Sequence, residues 1–197
     1  MPETDFATRA WRGIDELAQL IGAYCWVENR IFEISGVWAT ASNDGPRARL
    51  EPSLRVWCAG LSRRHGLVAL RWAERLPVRA GIDRTALVAA PDGPLARGFD
   101  ALAALPDARG GVEAMVGTVL PRFREVYGAH RRTASPVCEA SVLEVLIGAD
   151  REIAVEIGGG EALLQGSGGG VLEDAGLGGE IEQAFAQTGV FPAVPAS

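Results

Sequence analysis

Residues 17–38, LAQLIGAYCWVENRIFEISGVW, decide the fold class. Leu17, Ile21, Tyr24, Ile31 and Trp38 recur at steps of three, four and seven residues, the period that puts one apolar stripe on an α-helix. The stretch predicts a long helix over residues 8–41, ended by the turn-forming run Ser42-Asn43-Asp44-Gly45-Pro46. A second helix is expected over 52–76, opening on Pro52, which suits a first-turn position, with the stripe Leu54, Trp57, Leu61, Val68, Trp72 and Leu76. A third is expected over 111–133 through Val112, Met115, Val119, Phe123, Val126 and Tyr127, kinked at Pro121, which cannot donate to the carbonyl of Gly117. A fourth follows Ser135 and runs to about residue 165 through Leu143, Leu146, Ile153, Ile157 and Leu164.

Between the second and third helices, residues 77–109 hold Pro77, Pro91, Pro94 and Pro106 and one short helical piece capped by Asp92. A connection this long suits a crossover travelling the length of a bundle. The fold class expected is therefore all-α: a bundle over 8–165, then a flexible Gly-rich extension over 166–197 with one short helix near 181–186. That extension is expected to be dispensable for folding.

Composition narrows the function. The net charge is −6 and all 19 cations are Arg. An acidic chain without clustered cations is a poor nucleic-acid binder. No apolar run approaches the ~20 residues that span a bilayer. The first ten residues are polar, so no secretory signal is expected, and Cys25, Cys58 and Cys138 are odd in number and widely spaced. Reduced, buried thiols in a cytoplasmic protein are expected. No GxSxG motif or P-loop occurs, so nucleophilic and nucleotide chemistry find no support.

The informative residues are ionisable groups on apolar stripes, since an unpaired buried charge is expensive. Glu28 interrupts the first stripe, His65 the second and Asp150 the fourth, while His130 continues the third. Glu28 and His65 each lie about 13 residues from a shared bundle end, ~20 Å at helical rise, so they should be level. Counting back along the fourth helix brings Asp150 to the same layer. His130 falls nearer the far end and is expected to be solvated.

Two helices, a crossover and two more helices with midway carboxylate and imidazole groups resemble the ferritin-like superfamily. The stretches AYCWVENRIFEISGVW (23–38) and RRHGLVALRWAERLP (63–77) are similar to actinobacterial ferritin-like proteins of undefined function. The resemblance implies one Glu on helices 1 and 3 and Glu-x-x-His on helices 2 and 4. Glu28 and His65 match that pattern, but Ser62 stands where the helix 2 Glu belongs and Phe123 where the helix 3 Glu belongs. The expectation is a degenerate site: an accessory subunit or small-molecule binder without di-iron chemistry and with no cofactor. The alternative is a metal-dependent oxidoreductase holding a single iron or manganese ion on Glu28, His65 and Asp150. A third is a structural dimer, suggested by the Trp content and the Gly-rich tail. Tyr24, Ser62 and Tyr127 are the candidate ligand-binding side chains, and a homodimer or a partner protein is the expected association.

Overall fold

A computed structural model describes residues 12–40, 50–78, 80–81, 83–105, 107–166, 175–188 and 190–191. Among these the chain is all-α, with no strand. In order the helices are α1 (Ile14–Thr40), α2 (Pro52–Arg75), α3 (Gly93–Ala104), α4 (Ala108–Ala114), α5 (Leu120–Thr133), α6 (Ala140–Gly166) and α7 (Ala175–Gln187). The expected turn at 42–46 and the first eleven residues lie outside the described residues.

The long helices begin and end where local chemistry dictates. Pro52 occupies the first turn of α2, where a missing N–H costs no helical bond. Asp92 caps α3 by accepting the amide of Leu95 at 2.8 Å. Before α6, Ser135 Oγ accepts from the Cys138 amide at 3.2 Å while Glu139 Oε1 accepts from the Ser135 amide at 3.1 Å, a reciprocal arrangement that satisfies two donors at the turn.

The expected third helix is α4 and α5 joined through a π turn at Met115–Val119. The turn ends just before Pro121, whose ring cannot follow a regular i−4 ladder, so the backbone widens by one residue there. The kink expected from Pro121 thus takes the form of a π turn.

α1 and α2 pack antiparallel along their whole length: Cys25 Sγ donates to the Ala69 carbonyl, and Ser62 Oγ to that of Phe32. α6 lies against both α2 and α5. Helix α6 runs unbroken through Gly158, Gly159 and Gly160, because packing holds what composition would weaken. A Cβ on Gly160 would stand 2.5 Å from Val116 and 3.0 Å from the Trp57 indole, so the close approach requires glycine.

Two expectations need correction. The tail is not an appendage, since α7 packs on α3 and the π turn with Ile181, Ala184 and Phe185 buried in the same core. Beyond it Phe191 stacks on Tyr24, ring centroids 5.6 Å apart. Apolar side chains on α7 find an open face because α3 leaves Phe99 and Leu102 to be covered. The second correction is Cys138, which is exposed, whereas Cys25 and Cys58 are buried free thiols.

Candidate functional site

The longest buried polar chain in the described residues starts on α2. His65 is 2 % exposed and lies between two carboxylates: Nδ1–H donates to Glu28 Oε2 of α1 and Nε2–H to Glu156 Oε2 of α6, the latter at 3.0 Å. A neutral imidazole carries one donor and cannot satisfy two carboxylates, so this geometry calls for the imidazolium. Burial alone would lower the pKa of His65. The charge of Glu28 and the hydrogen bonds His65 donates to both glutamates outweigh it and push the group up to about 10.

The remaining carboxylate oxygens are also taken. Tyr127 OH donates to Glu28 Oε1 at 2.5 Å and itself accepts from Trp72 Nε1–H at 2.8 Å. Arg64 Nε–H donates to Glu156 Oε1 at 2.5 Å, and Trp57 Nε1–H to the Glu156 carbonyl at 3.2 Å. Burial, then the Glu28 charge, raises the Tyr127 phenol well above its ordinary value, so it stays a donor. The two carboxylates are balanced by one imidazolium and one guanidinium, which makes the chain neutral as a unit.

A second buried pair lies toward the α5–α6 turn. His130 Nε2–H donates to Glu139 Oε2 at 2.7 Å, and Tyr24 OH donates to Nδ1 at 3.1 Å. His130 has no exposed surface, which corrects the expectation of a solvated group. Burial, helped by the nearby charge of Arg12, lowers its pKa against the pull of Glu139, so this imidazole is neutral. Two histidines on one fold thus hold opposite protonation states, because one faces two carboxylates and the other faces one carboxylate and a phenol. The rings of Tyr24 and Tyr127 meet edge to face at 4.9 Å and join the two clusters.

The structure brings Glu28 and His65 together as the depth count expects, but not Asp150. Asp150 accepts from Arg124 at 2.9 Å and Arg131 at 3.3 Å on the α5–α6 face. Glu156 takes the place given to it, six residues further on, ~9 Å at helical rise. The signal was present: Val142, Leu146, Ala149, Ile153, Glu156 and Gly160 form the buried stripe of α6. Ala149 and Gly160 are too small to mark it, whereas Leu143, Ile157 and Leu164 mark a neighbouring, half-buried line.

The three candidate ligand-binding side chains do not meet either. Tyr24 and Tyr127 are buried beside each other, but Ser62 bonds the Phe32 carbonyl at 2.9 Å beside an outer groove between α1 and α2.

A metal ion does not fit these donors. Both ring nitrogens of His65 face carboxylates, and every oxygen of Glu28 and Glu156 has a donor of its own. The space among Glu28, His65, Ile153 and Glu156 will not admit a water-sized sphere. Among the described residues no group of three or more His, Cys, Asp or Glu is arranged to hold a metal. No helix there is long and apolar enough to cross a membrane. No family model, no curated protein and no solved structure matches the chain.

Proposed function

We propose that this chain is a degenerate ferritin-like four-helix bundle that works by binding, as a small-molecule binder or the accessory subunit of a partner, and not by chemistry at its buried polar layer. Under this reading α1, α2, the α4–α5 segment and α6 are the four helices of the bundle, and residues 77–107 are its crossover. The buried thiols of Cys25 and Cys58 suit a reducing cytoplasmic setting.

One observation carries the reading: His65 is saturated by Glu28 and Glu156, whose own oxygens are saturated by Tyr127 and Arg64, with no free volume between them. A group that reacts must reach a substrate, and a ligand to a metal must offer a lone pair. This layer offers neither. Its role is to tie α1, α2, α5 and α6 together, leaving the surface to do the work.

The test is elemental analysis of protein purified without chelator, alongside His65→Ala. Substoichiometric iron and manganese, unchanged by the substitution, is the expected result. One equivalent of either metal per chain, lost in His65→Ala, overturns the reading and promotes the oxidoreductase.

A further inference from the structure

The neutral chain of buried charges has one end at the surface. Arg64 uses Nε–H for Glu156, and its terminal nitrogens make no hydrogen bond among the described residues. Its side chain is 38 % exposed, so that free edge faces an open cleft of about 670 Å³. The cleft is walled by Pro52, Ser53, Val56, Trp57, Gly60 and Leu163. Apart from the guanidinium and the Ser53 hydroxyl, the walls are apolar, and Val56 is 73 % exposed there. A Cβ on Gly60 would sit 3.1 Å from Arg64 Nη1, so glycine leaves the guanidinium room to lie along α2.

A fixed guanidinium edge pairs with a planar carboxylate through two parallel N–H···O bonds. The Glu156 bond holds Arg64 in place beforehand, which reduces the ordering cost on binding. The walls offer apolar contact to whatever carries the carboxylate. A phosphate dianion is a poorer match. One cation serves the cleft, Glu156 stands behind it, and the neighbouring Arg109 is engaged with Glu51 and Glu113.

We propose that this cleft binds a small amphipathic monocarboxylate, its head on Arg64 and its hydrocarbon body against Val56, Trp57 and Leu163. The proposal rests on the reading of the chain as a binder and names the ligand class.

The experiment is calorimetric titration of the full chain with octanoate, with octanol and inorganic phosphate as controls. Saturable one-to-one binding of octanoate is expected, and binding of the two controls at least about tenfold weaker, since octanol cannot make the charge-assisted bidentate pair with Arg64 and phosphate has no hydrocarbon body. Arg64→Gln should weaken octanoate by a similar factor. Val56→Asp, which puts a negative charge in the cleft without touching the buried layer, should do the same and decides the matter if Arg64→Gln fails to fold. Octanol binding as tightly as octanoate, or unchanged affinity in Val56→Asp, overturns the proposal. If octanoate does not bind a chain that also carries no stoichiometric metal, the ligand class falls while the binder reading stands. Stoichiometric metal lost in His65→Ala brings down the binder reading itself.

Discussion

Glu28 faces two donors at once, Tyr127 OH and the Nδ1–H of His65, with no exposed surface of its own. Glu28→Gln keeps the shape: its carbonyl accepts from Tyr127, and its amide donates to a His65 ring that has lost the Nδ1 proton. Glu28→Leu leaves the Tyr127 O–H and the Nδ1–H of His65 without an acceptor in an apolar interior, although Glu156 still pairs the imidazole, and should cost about 1–3 kcal/mol. Urea midpoints of the two variants check this, with Gln expected well above Leu. The two histidines also set the pH profile. Between the ordinary value of 6.5 and about 10, folded His65 holds a proton that the unfolded chain has released. Its contribution is complete below 6.5 and is lost as pH rises, at up to about 1.4 kcal/mol per pH unit. His130 acts in the opposite direction, because its folded pKa is depressed: below 6.5 the unfolded chain takes up a proton that the folded one refuses, so acid destabilises. Denaturation midpoints should peak near neutrality, and His65→Ala should flatten the alkaline limb. An alkaline limb that persists in that variant would assign it to other groups.

The glycines of α6 separate helix propensity from packing within a single element. Nothing stands within 4 Å of a Cβ at Gly158, so Gly158→Ala should stabilise by about 0.5–1 kcal/mol through helix propensity. Two residues on, Gly160→Ala forces Val116 and Trp57 apart and should destabilise by about 1–3 kcal/mol despite the same gain in propensity. Equal effects of the two substitutions on thermal midpoints would contradict the close α6–π-turn contact. The π turn belongs to the same scale: it widens the helix just before Pro121 and brings Val116 against Gly160.

At the scale of the whole molecule, α7 and Phe191 close the core. Truncation after Gly166 removes Ile181, Phe185 and Phe191, each roughly 1.5–3 kcal/mol when fully buried, and uncovers Tyr24, Phe99 and Phe123. The truncated chain should lose several kcal/mol or aggregate, which chemical denaturation and size-exclusion chromatography would reveal. A truncation that leaves the denaturation midpoint unchanged would restore the tail to the status of an appendage. Mostly helical circular dichroism is expected of the full chain.

The period of the apolar residues determined the helices, because a buried stripe at three- and four-residue steps has one regular solution, and Asp92 and Pro52 carry their boundaries in their own chemistry. The same period placed Glu28 and His65 inward, and counting from one shared turn made them level. Only the tertiary structure decided which carboxylate of α6 completes the layer. Gly160 lets α6 approach Val116 and the Trp57 indole because it has no side chain, and those neighbours are distant in sequence. The protonation of the two histidines was likewise undecided until the fold supplied their partners. A side chain's charge depends on what surrounds it, and for His65 that is one glutamate from α1 and another from α6, 37 and 91 residues away.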